Sequence, residues 1–212
     1  MKNVMRLSSL FILFLFIAAC NKLNTTNQET ILKGKATLLV DETIKPIMED
    51  QIEIFENRYE ARIKLDARSE NEVIQSLVKD TSSIAVLARK LNDDEMKVFA
   101  SRKIIPKTTP IAIDAIALIT NINSKDSLVA LNDVLSFMKG KTDGKIKGLV
   151  FDNPNSSTVR YMNSLAGLPS IPQKGVFSFA TNNEVIKFVS ENEGMIGVVG
   201  LNWLSQPTPE MQ

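Results

Sequence analysis

The chain has no histidine, a single cysteine and almost no net charge, +1 over 212 residues. Each scarcity excludes something. Without histidine the commonest metal ligand and the commonest general base are missing. One cysteine cannot form a disulfide within the chain, so a disulfide scaffold is excluded. A balance of 25 basic and 24 acidic residues lacks the basic surplus of a nucleic-acid binder. Beyond the N-terminus no apolar run reaches the ~20 residues of a membrane-crossing helix. What remains is an ordinary globular composition, 44% hydrophobic and 23% charged, which is neither low-complexity nor disordered. The length suffices for one large domain or two small ones.

The cysteine stands at the end of a recognisable leader. Lys2 and Arg6 form a basic start, and the stretch from Leu7 to Ile17 is apolar except for Ser8 and Ser9. Small residues Ala18 and Ala19 then precede Cys20. Basic, apolar and small segments in this order make a secretory signal. With the cysteine added, they resemble the bacterial lipoprotein signal. The resemblance implies cleavage after residue 19 and lipidation of Cys20. The polar residues that follow read as a tether over 20–32. The chain is then expected in the cell envelope, anchored by lipid on the extracytoplasmic side.

From Lys33 onward short apolar runs alternate with helical patterns. Ala36–Val40, Ala61–Leu65, Ser83–Ala88, Lys147–Phe151 and Gly194–Gly200 read as strands. Ile44, Ile47, Met48, Ile52 and Phe55 follow a helical period, with Pro46 in the first turn. Ser69 with Glu72, Asn92 with Glu95, and Thr181 with Glu184 are helix starts of the kind in which a cap pairs with an acid three residues on. Further helices are expected near Asn132–Lys139 and from Ser156. This alternation predicts an α/β fold with a substantially parallel sheet. Asp114 interrupts the apolar run Ile111–Thr120. Because a buried carboxylate is costly without partners, either a turn divides the run or Asp114 faces a polar cleft.

In their order and spacing these segments resemble the phosphate-type substrate-binding proteins of ABC transporters. The matching stretches are Ile44-Lys45-Pro46, Ala88-Arg89 with Asn92 to Glu95, Pro110 to Asn121, Ser156-Ser157-Thr158, and Gly194 to Gly200. The variant resembles lipoproteins of Bacteroidetes-type bacteria. The resemblance implies the two-lobed type 2 periplasmic-binding-protein fold. The first lobe would span 33–120, the second 121–200, and 201–212 would be a C-terminal segment. The family continues beyond that point with a segment returning to the first lobe, so this chain reads as incomplete or as a shortened variant.

The implied mechanism is closure of two lobes on a small oxyanion held at helix N-termini. Free backbone N–H groups and the helix dipole favour negative charge there. The resemblance places Ser156, Ser157 and Thr158 in such a cradle, with Thr43 and Ser69 at the first two helices. Each is equally an ordinary helix cap by residue type. Several positions depart from the family. Asp41 and Glu42 stand where small residues are usual, Asp152 where an arginine is frequent, and Ser157 in place of a glycine. Arg68-Ser69-Glu70 replaces a glycine-rich loop. A carboxylate ~4 Å from an anion costs about 1 kcal/mol even in water. A protonated oxyanion could instead donate to a carboxylate, and Arg68, Arg89 or Arg160 could supply a cation.

The expected function is capture of a small oxyanion, phosphate by resemblance, for a transporter permease. No cofactor, metal or nucleic acid is implied, and no enzyme, since Ser-His and Cys-His nucleophiles are unavailable. The rival reading is an interaction or sensor lipoprotein that kept the fold and lost the anion site.

Overall fold

The structure is a computed structural model that describes residues 29–124, 128–141, 144 and 146–205. Cys20, its leader and residues 206–212 lie outside the described residues.

Two sheets organise the chain. The first has three parallel strands, β1 (Lys33–Asp41), β2 (Glu60–Arg68) and β3 (Ile84–Val86), in the order β2-β1-β3. Helices α1 (Lys45–Arg58), α2 (Glu70–Lys79) and α3 (Asp93–Ser101) alternate with them. This is the strand–helix alternation expected from the pattern. A short 3-10 turn, Glu42–Ile44, joins β1 to α1, and Asp41 caps it by accepting from the Thr43 N–H at 3.2 Å.

The second sheet has the order β4-β7-β5-β6. Its strands are β4 (Ile116–Thr120), β5 (Gly148–Phe151), β6 (Val176–Ser178) and β7 (Met195–Gly200). Here β4 runs antiparallel to β7, while β5 is parallel to both β7 and β6. Helices α4 (Leu131–Met138), α5 (Ser157–Ala166) and α6 (Asn182–Glu191) cover both faces. Leu149 and Phe151 of β5 pack with α4 and α5, whereas Val150 between them packs with α6. The period-2 alternation of a strand thus feeds two cores, which is why β5 reads as a continuous apolar run. Gly167 ends α5 with φ 67°, the left-handed position a glycine tolerates. The turn Leu201–Leu204 follows β7 and buries Trp203.

The sequence expectation differs from the structure in three places. Strand β6 was not anticipated: β3, equally short, sits in the continuous apolar run Ile84–Ala88, whereas Val176-Phe177-Ser178 belongs to no such run. The division at 120/121 leaves β4 in the first lobe, whereas β4 pairs with β7 in the second sheet. The crossing between the sheets precedes β4. Residues 111–115 are exposed and irregular, Asp114 accepts from the Ala115 N–H at 2.8 Å, and the strand begins only at Ile116. Finally, α1 buries none of its residues: Ile47 is exposed, and Met48, Ile52 and Phe55 are half-buried against β2.

Candidate functional site

Parallel strands end where the next helix begins, so strand C-termini and helix N-termini gather on one edge of each sheet. The two sheets turn these edges toward each other. Asp41 closes β1, Ser69 and Glu70 follow β2, and Asp152 follows β5. Ser156 caps α5 by accepting from the Val159 N–H at 3.2 Å. All five hydroxyl residues singled out from the sequence arrive here. Thr43, Ser69, Ser156, Ser157 and Thr158 are between 1% and 4% exposed. The cluster is therefore closed to solvent.

Hydrogen bonds run through it, several of them from lobe to lobe. Thr43 Oγ1 donates to Asp152 Oδ2 at 3.4 Å and lies 3.5 Å from Thr158 Oγ1. Asn182 Nδ2 donates to Glu42 Oε2 at 2.8 Å and to Asp152 Oδ2 at 3.2 Å. The Gly200 N–H donates to Asn182 Oδ1 at 3.1 Å. The Thr43 carbonyl accepts from Asn202 Nδ2 and Trp203 Nε1, both at 2.9 Å. Gly200 has to be small here, since a Cβ on it would stand 2.9 Å from the Thr43 carbonyl oxygen.

The hydroxyls differ in how they are engaged. Ser69 Oγ donates to Glu72 Oε2 at 2.6 Å, and Ser156 Oγ donates to Asp152 Oδ1 at 2.5 Å. Ser157 Oγ is buried with no hydrogen-bond partner among the described residues, as are Asp41 Oδ2 and Glu70 Oε2. Buried polar atoms are rarely left so.

Three carboxyl groups in the cluster are displaced upward. Asp41 is pushed up to about 6, first by burial and further by the Glu70 charge. Ser157 lies close enough to oppose that rise, though without a hydrogen bond of regular geometry. Glu42 is pushed up to about 7 by burial, with the Asp152 and Asp41 charges adding to it and Asn182 opposing. Asp152 is pushed up to about 6 by burial and by Asp41, against the Ser156, Asn182 and Thr43 hydrogen bonds. Groups this close titrate as a set rather than singly.

Of the three candidate cations, two enter the cleft. Arg89 Nε and Arg160 Nε both donate to Glu70 Oε1, at 2.9 and 2.7 Å. Arg89 also forms a two-pronged pair with Glu95, 2.8 Å on each prong. Arg68 turns instead to Asp66 and Ser76 at the surface. Asn182 was missed from the sequence. Nothing in its periodicity marks it, and only its place just after the Thr181 cap hints that its side chain faces inward.

The profile described as the PBP superfamily domain matches residues 25–210. No curated protein sequence matches the chain. Among solved structures, the chain is similar to a substrate-binding protein of Clostridium perfringens, assigned to phosphate ABC transport and carrying bound phosphate. The TM-score is 0.68 at 20% identity, covering 79% of this chain and 71% of that one. An ABC-type phosphate transport receptor from Vibrio cholerae gives a TM-score of 0.56 at 19% identity, covering 84% and 74%. The regulatory domain of CcmR from Synechocystis, in complex with 2-PG, gives 0.56 at 12%, covering 84% and 78%. At these identities the likeness is one of fold, the two-lobed type 2 periplasmic-binding-protein fold.

Proposed function

Because the chain belongs to the PBP superfamily, and its buried hydroxyls meet between two lobes, we propose that it is an extracytoplasmic solute-binding protein. It captures a small protonated oxyanion, phosphate foremost. It is lipid-anchored through Cys20 and hands its ligand to a transporter permease. The observation that carries this reading is the gathering of the buried Thr43, Ser69, Ser156, Ser157 and Thr158 at strand ends and helix starts where the two lobes meet. Such termini favour anions. The two relatives from C. perfringens and V. cholerae, described as phosphate proteins, support the choice of ligand. A protonated oxyanion also suits the carboxylates, because its O–H donates to them where a bare dianion would be repelled. Capture uses no covalent chemistry. Lobe closure is the functional motion, and the ligand drives it only by binding the closed state more tightly.

The sensor or interaction reading keeps one observation in its favour: Asp41, Glu42 and Asp152 are acids where the ligand would lie. Thermal melting separates the two. A ligand at a hundredfold excess over Kd stabilises by about 2.7 kcal/mol, so phosphate should raise the melting temperature clearly. Absence of any shift with phosphate, sulfate and related oxyanions sinks capture. Within the capture reading, Thr158→Ala should weaken phosphate binding about fivefold, the worth of one neutral hydrogen bond. Its melting temperature without ligand should stay near the parent's. Unchanged affinity removes Thr158 from the site.

A further inference from the structure

The cleft already contains an anion. Glu70 is 1% exposed, stands in the first turn of α2 and receives both arginines on one oxygen. Arg89 comes from the first lobe, just beyond β3. Arg160 comes from the second, one turn into α5 from Ser157. A carboxylate flanked by two guanidinium groups and set at a helix N-terminus has the surroundings of a bound oxyanion. Its second oxygen, Oε2, has no hydrogen-bond partner among the described residues.

We infer that Glu70 is an internal ligand: its carboxylate occupies the oxyanion subsite of the cleft, and an external anion binds there by displacing it. The inference rests on the reading of the cleft as an anion site. It goes beyond that reading by naming the residue that sets affinity and selectivity there. Displacement has a steep electrostatic condition. The incoming oxyanion must satisfy Arg89 and Arg160 at least as well as Glu70 does. The released carboxylate must find water, because a buried charge without partners is unfavourable. Weakly basic anions that pair poorly with guanidinium are thereby excluded. Glu70 also joins the lobes in the absence of ligand, since Arg160 reaches it from the other side.

The test is calorimetric titration of the full chain with inorganic phosphate, comparing the parent with Glu70→Ala and Glu70→Gln. Removing the carboxylate should tighten phosphate binding by about tenfold or more in both variants. It should also make their melting temperatures rise more in phosphate than the parent's does. Glu70→Ala takes the carboxylate from Arg160 and leaves Arg89 with Glu95 alone, so recovery of its fold by phosphate but not by chloride also supports the inference. If Glu70→Ala folds in neither salt, Glu70→Gln decides. Folded variants that bind phosphate no tighter than the parent overturn it. The outcomes separate from those of the capture reading. A parent that ignores phosphate beside a Glu70→Ala that binds it sinks capture and keeps Glu70 as the occupant of the subsite, while overturning its displacement by phosphate. A parent that binds well beside variants that gain nothing does the reverse.

Discussion

The two lobes are built to different standards of packing. Among the described residues, the second lobe buries 17 apolar side chains, from Val134 to Trp203, in two clusters on either face of its sheet. The first lobe buries seven, Leu39, Val40, Ile44, Ala61, Val73, Ile74 and Phe99. It also buries Asp41, Thr43, Ser69 and Glu70, all of which face the cleft. Its edge strand β3 and the segment 104–112 line an apolar groove of about 660 Å³, with Ile84 and Ile105 exposed beside it. The second lobe therefore holds itself together by apolar burial. The first draws a larger share of its order from polar contacts with its neighbour, and polar contacts depend on protonation and ligand where apolar ones do not.

The largest effect that tests this contrast lies in the second core. Leu149 is fully buried between α4 and α5. Leu149→Ala should cost about 2–5 kcal/mol in urea unfolding. A loss under 1 kcal/mol would mean that the second core is looser than its burial implies.

Next in size is the pH dependence of the cleft. Asp41, Glu42 and Asp152 have folded-state values raised to about 6, 7 and 6, above their ordinary 3.8, 4.5 and 3.8. A raised acid binds more protons folded than unfolded. Its contribution is present below the unfolded value and is lost as pH rises through the folded one. Stability should thus fall between about pH 4 and pH 7, from the ordinary values to the raised ones, at up to ~1.4 kcal/mol per unit of displacement for each group. Melting curves across that range check the sign, and Glu42→Gln should flatten the slope. A profile that rises over the same range contradicts the burial of these acids. Glu72 and the partly buried Glu95 are held low, first by Ser69 and Arg89 respectively, and act in the opposite direction at more acid pH.

The smallest effect belongs to the outer helix of the first lobe. Ile54 on α1 is 62% exposed. Ile54→Ala should change stability by no more than about 0.5 kcal/mol, measured by the same urea unfolding. A cost comparable to Leu149→Ala would erase the distinction between the lobes.

Much of the fold was legible because local signals agreed. The pairs Asn92–Glu95 and Thr181–Glu184 opened helices where their spacing said they would. The hydroxyl residues of the site were legible because helix starts follow strand ends in an alternating chain. Their partners were not. Asn182 reaches Glu42, distant in sequence, and no periodic pattern encodes a contact between lobes. Arg89 and Arg160 were legible as candidate cations, but their shared partner Glu70 lies 19 and 90 positions away and no local pattern encodes it. The helix period of α1 was right, but period alone does not tell whether a second layer covers the apolar face.

Trp203 is the chain's one tryptophan, and its indole N–H is tied to the Thr43 carbonyl beside the cleft. Any motion that parts the Glu42–Ile44 turn from Leu201–Leu204 breaks that bond and wets the ring. The protein thus carries its own fluorophore at the junction that a closing ligand would tighten. Its emission colour reads out, without labels, how far apart the two halves stand.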